Sequence, residues 1–164
     1  MEAFFREILR TNSDSRTQIL EALPTIQDWI SSCSYTENWA ERHTICKLDK
    51  HTEVVIRRWS KGEGTPFHLH PNQTCWFYVL EGLIEEIRLP YKSDLKVTED
   101  LVCWEIFKQK CKDREDWSFF ENSRKVSLLP EGTWHYIDDS MGFHKMSGAS
   151  DNALSLHIYR KLVP

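Results

Sequence analysis

From about residue 39 onward, hydrophobic residues recur at every second position in short runs, and this alternation restricts the fold more than any other feature. The runs are rich in β-branched and aromatic residues, and turn-forming residues separate them, as expected for strands joined by tight connections. They cover residues 54–56, 76–80, 84–89, 104–107, 126–129, 134–137 and 154–159. Many short strands at nearly even spacing predict a mainly β protein, with a β-barrel or jelly roll in residues 39–164.

The first 38 residues follow a helical pattern instead. Ile19, Leu23, Ile26 and Ile30 recur three or four positions apart, which predicts one apolar helix stripe, and Pro24 interrupts it with a kink or a break. Residues 1–38 are therefore expected to form N-terminal helices that cap the barrel. At 164 residues, the chain is expected to be a single domain over residues 1–164.

Composition excludes several classes of function. The chain has 21 basic and 25 acidic residues, a net charge of −4, which argues against a dedicated nucleic-acid binder. No apolar run reaches the ~20 residues of a membrane helix, and the N-terminus lacks the basic start of a signal peptide. The five cysteines are odd in number and have no CxxC spacing, so we expect free thiols in a reducing compartment. These features predict a cytoplasmic protein that has no membrane or nucleic-acid partner.

One spacing of glycines and histidines stands out between residues 62 and 82. The spacing resembles the first signature of the cupin superfamily, with Gly62, the pair His68 and His70, Cys75 at the position of a fourth signature residue, and Gly82. In extended backbone the two histidines project from the same face, so they can bind one ion. Cys75 stands where a typical cupin has a glutamate ligand. A site made only of neutral imidazoles leaves the ion its full charge and favours substrates that bring an anion, such as a thiolate.

Such a site needs a third histidine, and the sequence offers two. His135 follows Pro130 and Gly132 at the spacing of the second cupin signature, whereas His144 follows Gly142 in the stretch Asp-Ser-Met-Gly-Phe-His. Spacing alone leaves both histidines open as the third ligand.

Residues 42–159 resemble the cysteine dioxygenases, the thiol dioxygenase branch of the cupins. The resemblance is carried by His68-x-His70, Cys75, residues 136–144 and the Ser155-x-His157-x-Tyr159 pattern. It implies a cupin jelly-roll β-barrel and one Fe(II), with O2 as co-substrate. The iron ligands that it implies are His68, His70 and His144, and His135 then becomes an ordinary strand residue.

The resemblance also implies roles for the C-terminal strand. Tyr159 corresponds to the catalytic tyrosine of the family, and His157 and Ser155 correspond to a hydrogen-bonded relay that positions it. Strand alternation places these three side chains on one face, an arrangement that ordinary packing also produces. Cys75 and Tyr159 are the pair that forms a thioether crosslink in many members.

Substrate binding is the last implication. Arg42 falls at the arginine that holds the substrate carboxylate in the family, a task that suits its planar guanidinium. Ala40 replaces a tyrosine that usually lies two positions earlier. The implied reaction is oxidation of L-cysteine by O2 to cysteine sulfinic acid, catalysed by a monomer. Two alternatives stay open: another thiol carboxylate, such as 3-mercaptopropionate or mercaptosuccinate, or a cupin that binds a metal or ligand without turnover.

Overall fold

The computed structural model describes residues 43–47, 49–89 and 123–162. These residues form eight strands and one short 3-10 helix, Asp139–Met141. The strands are β1 (His43–Lys47), β2 (Thr52–Trp59), β3 (Gln73–Glu81), β4 (Leu83–Leu89), β5 (Lys125–Pro130), β6 (Trp134–Ile137), β7 (Phe143–Gly148) and β8 (Ala153–Lys161). The mainly β prediction is confirmed. The helical cap expected at residues 1–38, the strand expected at 104–107 and Arg42 lie outside the described residues.

The strands form two antiparallel sheets. One sheet has five strands in the order β1-β2-β8-β3-β6, and the other has three in the order β5-β4-β7. Strand β8 lies between β2 and β3, and its register places His157 opposite Val55 and Phe77. Tyr159 lies opposite Cys75 in the same ladder. Since paired residues of antiparallel strands share a face, these side chains point to one side of the sheet.

The core lies between the two sheets. One buried cluster contains residues of both: Trp59, Phe77, Val79 and Ala153 from the five-stranded sheet, with Ile84, Leu129 and Met146 from the three-stranded sheet. Burial of apolar side chains from facing sheets is what holds such a sandwich together. The described residues contain no helix of the length and apolar character needed to cross a membrane.

Two strands were not anticipated by the alternation pattern. Strand β1 reads His-Thr-Ile-Cys-Lys, too short a run to stand out, and β7 reads Phe-His-Lys-Met-Ser-Gly, with no β-branched residue. Strand β7 forms because it pairs along its whole length with β4, from Ile84 opposite Gly148 to Leu89 opposite Phe143. Tertiary pairing therefore overrides weak local propensity here.

Candidate metal centre

The glycine-rich segment before the two histidines runs alongside β7. It forms isolated bridges from Lys61 to Gly148, from Gly64 to Ser147 and from His68 to His144, rather than a regular strand. Residues His68 and His144 exchange two backbone hydrogen bonds, of 2.9 and 3.0 Å. A Cβ atom at Gly64 would lie 2.7 Å from the Cβ of Ser147, so only glycine permits this close approach. The two histidines therefore lie outside the regular strands, in a segment that bonds to β7 only at separate bridges.

The segment of residues 61–70, called the strap below, brings three histidines together. One nitrogen atom of each of His68, His70 and His144 lies within 4.8 Å of the others. The Nε2 atoms of His70 and His144 are 2.9 Å apart, close to the ~3 Å between neighbouring nitrogen ligands of one ion. His70 and His144 are buried, and His68 is half-buried. The three residues implied as metal ligands therefore form the cluster that a shared ion requires.

Two of these rings are held in the tautomer that suits metal binding. The Nδ1–H of His68 donates to the carbonyl oxygen of Pro66 at 2.9 Å. The Nδ1–H of His144 donates to Oε1 of Glu86 at 3.0 Å. Because the acceptors are a carbonyl and a carboxylate, the protons sit on Nδ1, and each Nε2 keeps a lone pair for a ligand bond.

The cluster stays uncharged at neutral pH. Burial is the main cause, and it lowers the pKa of His68 to about 4 and that of His70 to about 2. The His144 ring lowers both further by its charge when protonated. Burial also lowers the pKa of His144, although the hydrogen bond to Glu86 opposes it. Neutral imidazoles are the form that binds a metal ion.

His135, the competing candidate, lies next to this group of three histidines but is not part of it. Its Nδ1 accepts a hydrogen bond from Nη2 of Arg88 at 2.8 Å, and its ring packs 5.4 Å from that of Phe77. Because a guanidinium only donates, this nitrogen of His135 has its lone pair occupied. The structure therefore places His144 in the cluster and gives His135 a hydrogen-bonding position beside it.

Glu86 is a buried residue of the site that the sequence analysis missed. Its carboxylate is 1% exposed, accepts from His144, and forms an ion pair with Arg88, whose Nε lies 2.9 Å from Oε2. Burial alone would raise the pKa of Glu86, but the contacts with His144 and Arg88 outweigh it and lower the pKa. Strand alternation was the available signal, because it places Glu86 on the same face of β4 as the buried Ile84.

A hydrogen-bonded series of side chains lies beside the histidine cluster. The Nε1–H of Trp59 donates to Oγ of Ser155 at 2.7 Å, and this Oγ lies 2.8 Å from Nε2 of His157. Indole only donates, so the hydroxyl proton of Ser155 is available for His157. The Nδ1 atom of His157 then faces the hydroxyl of Tyr159 at 3.5 Å, and the Tyr159 ring stacks 5.9 Å from that of His70.

Cys75 joins the same group. Its thiol is buried and forms no disulfide bond within the described residues, and its sulfur atom lies 3.7 Å from Nδ1 of His157. Cys75 and Tyr159 are direct partners across β3 and β8 and belong to one buried cluster with Val55 and Ile137. The pair implied as a crosslink therefore shares one face of the sheet, next to the histidine cluster.

A family model described as cysteine dioxygenase type I matches residues 10–163. The chain belongs to this family. The cysteine dioxygenase type 1 of Danio rerio is 24% identical over 135 residues, which cover 81% of this chain and 57% of that protein. The human cysteine dioxygenase type 1 is 25% identical over 141 residues, covering 85% and 58%. The chain thus spans little more than half the length of these relatives.

Solved structures agree with the fold of this cysteine dioxygenase family member. A protein from Bacillus halodurans superposes with a TM-score of 0.53 at 15% identity, covering 85% of this chain and 80% of that one. A protein from Klebsiella pneumoniae with a double-stranded beta-helix domain superposes with a TM-score of 0.50 at 10% identity, covering 80% and 85%. The predicted cupin barrel, which is a double-stranded β-helix, is confirmed.

Proposed function

We propose that the chain is an Fe(II)-dependent thiol dioxygenase that oxidises L-cysteine with O2 to cysteine sulfinic acid. In this reaction both oxygen atoms of O2 are added to the sulfur of one thiol. The observation that carries the proposal is the cluster of His68, His70 and His144, which contains no carboxylate ligand among the described residues. Family membership supports the same reaction class.

The donor set fits a ferrous ion that receives an anionic substrate. The three imidazoles are neutral, so a bound Fe(II) keeps its full positive charge and attracts a thiolate. When bound there, Fe(II) would bring the thiol and O2 together on one ion and lower the pKa of the thiol. The nearby carboxylate of Glu86 contacts Nδ1 of His144, the nitrogen on the far side of the ring from Nε2.

In this proposal, side chains of the C-terminal strand β8 hold and transfer protons. The hydroxyl of Tyr159 acts at the oxygen atoms as they are transferred, and His157 and Ser155 hold that hydroxyl in place. Cys75 and Tyr159 can form a thioether bond, in which a new bond from the sulfur to a ring carbon replaces the S–H bond and one ring C–H bond, and O2, the proposed co-substrate, takes up the two electrons and two protons. The pairing of the two residues across β3 and β8 supports this. Mass spectrometry of the protein after digestion tests the bond: a joined peptide pair supports it, and two separate peptides would exclude it.

Arg42 is proposed to hold the carboxylate of L-cysteine, as the family resemblance implies. Its position lies outside the described residues. A planar guanidinium makes two charge-assisted hydrogen bonds to a carboxylate and keeps its proton at any working pH.

Oxygen uptake over a panel of thiols tests the proposed function. The protein is loaded with Fe(II) without oxygen and is then given O2 with L-cysteine, 3-mercaptopropionate or mercaptosuccinate. We expect the highest kcat/KM with L-cysteine. Faster uptake with a thiol that lacks an amine would reassign the substrate, and no thiol-dependent uptake at all would favour a cupin that binds without turnover.

A further inference from the structure

Arg88 of β4 makes contacts across the two sheets beside the histidine cluster. Its Nη2 donates to Nδ1 of His135 at 2.8 Å and lies 3.2 Å from the carbonyl oxygen of Tyr136, both in β6. Its Nη1 lies 3.2 Å from Sδ of Met141, in the 3-10 helix that follows β6. Although Arg88 belongs to the three-stranded sheet, its guanidinium is therefore held by three partners that lie outside that sheet.

The remaining side of the guanidinium faces Glu86. Its Nε atom lies 2.9 Å from Oε2 of this carboxylate, which is 1% exposed. Nδ1 of His135 lies 3.5 Å from the same oxygen, but it accepts from Arg88 and has no proton to donate. Within the described segments, Arg88 is therefore the cation that pairs with this oxygen.

The other oxygen of Glu86 connects Arg88 to a proposed metal ligand, because it accepts the Nδ1–H of His144 at 3.0 Å. A buried carboxylate that loses its charged partner is strongly unfavourable, so it moves toward water where it can. Such a movement would remove the hydrogen bond that fixes the His144 ring. The guanidinium therefore keeps Glu86 directed at His144.

Arg88 has two effects on a cation bound at the cluster, and they have opposite signs. As a positive charge, the guanidinium repels the cation and opposes its binding. As the partner of Glu86, it fixes the orientation of the His144 ring and favours binding, and loss of such a partner typically costs about 10- to 100-fold in metal affinity. The negative carboxylate contacts both groups and offsets the repulsion, so the second effect is the larger.

We propose that Arg88 is a positioning residue of the metal centre, which holds Glu86 against His144 and fixes this third ligand relative to β6. The proposal rests on the proposed function only in requiring a metal ion at the three histidines, and it does not require oxidation of a thiol. It also gives His135 a role, as a neutral acceptor that anchors the guanidinium.

Zn(II) affinity, measured by competition with a chelator, tests this proposal without turnover, because Zn(II) has no redox chemistry. We expect Arg88→Met to weaken Zn(II) binding by about 10-fold. Arg88→Lys should recover part of the loss, because lysine keeps a charged partner for Glu86 but not the planar fork that reaches β6. An unchanged or higher affinity in Arg88→Met would overturn the proposal, since the guanidinium would then act by repulsion or not at all.

Lys125→Met is the matched control for charge. Lys125 lies directly opposite Arg88 in the ladder of β4 and β5, and it is exposed. The substitution removes one positive charge next to Arg88, but salt screens an exposed charge. We expect the Zn(II) affinity to change less than about threefold. A loss as large as that in Arg88→Met would exclude a specific role for Arg88.

A double-mutant cycle separates positioning from general stabilisation of the fold. If Arg88 acts through Glu86, Arg88→Met should change the Zn(II) affinity of Glu86→Ala by less than about threefold. A further loss of about 10-fold in that background would overturn the proposal. If Arg88→Met does not fold, the cycle uses Arg88→Lys, whose smaller loss should also vanish in Glu86→Ala.

The Zn(II) measurements and thiol oxidation fail independently. An active dioxygenase whose Arg88 variants bind Zn(II) as tightly as the wild type would refute the positioning role alone. A protein that oxidises no thiol, but whose Arg88 variants lose Zn(II) affinity as expected, would refute the proposed function alone.

Discussion

The Nδ1–H of His144 donates to Oε1 of Glu86 at 3.0 Å, and the other oxygen of this buried carboxylate pairs with Arg88. A carboxylate in this position fixes the ring orientation and makes the opposite nitrogen a stronger ligand. Arg88 also donates to His135 and to the carbonyl oxygen of Tyr136 in β6. It therefore connects the two sheets next to the third proposed ligand.

We expect Glu86→Ala to weaken Fe(II) binding by about 10- to 100-fold, because the His144 ring loses the partner that fixes its tautomer. Glu86→Gln keeps an acceptor but loses the charge, so its affinity for Fe(II) should lie between that of the wild type and that of Glu86→Ala. Competition with a chelator measures the affinities. Glu85→Gln is the control, since this neighbour points to the other face of β4. Wild-type affinity in Glu86→Ala would contradict this role.

The choice between the two candidate third ligands is tested by iron content. His144→Ala should purify with little or no iron, because it removes one of three ligand atoms from the cluster. His135→Ala should retain iron, because its ring nitrogen already accepts from Arg88. Iron retained in His144→Ala and lost in His135→Ala would reverse the assignment.

The relay gives a prediction for Ser155. In Ser155→Ala, the buried Nε1–H of Trp59 and Nε2 of His157 both lose their partner, and the His157 tautomer is no longer fixed. We expect kcat to fall by about 10- to 100-fold with unchanged iron content and an altered pH profile of kcat. Ser147→Ala, at a buried serine of β7, is the control. Equal kcat values in both variants would argue against a relay.

The low pKa values of the cluster predict a loss of stability in acid. Below pH ~6.5 the unfolded chain takes up protons on His68 and His70. The folded metal-free protein does not, because it holds their pKa values at about 4 and about 2. The free energy of unfolding must therefore fall as the pH drops from ~6.5 toward ~4.

Urea unfolding of the metal-free protein near pH ~7 and pH ~5 measures this effect. His68→Asn removes one of the titrating groups, so it should lose less stability over the same interval than the wild type. An equal loss in the two proteins would mean that His68 does not titrate as its burial requires.

Most strands of the barrel could be predicted from the sequence, because hydrophobic residues alternate along them. Six of the runs identified from the sequence fall within β2, β3, β4, β5, β6 and β8. Strand β7 was not predicted, since it is stabilised by pairing with β4 rather than by the strand propensity of its own residues. The histidine pair was predictable because its two members are close in the chain.

Residues that act across strands were harder to identify. The spacing left His135 and His144 open, and only the contact between the strap and β7 places His144 beside His68. Glu86 and Arg88 look like ordinary charged residues in the sequence. Their burial and their direction depend on strand pairing, which short-range patterns do not contain.

Oxidation of L-cysteine under isotopically labelled O2 tests the central claim most directly. The Fe(II)-loaded protein is incubated with L-cysteine and ¹⁸O2, and the product is analysed by mass spectrometry. We predict cysteine sulfinic acid in which both sulfinate oxygens carry the label, formed by the wild type and not by His144→Ala. Absence of the sulfinic acid, or a product with only one labelled oxygen, would contradict the account.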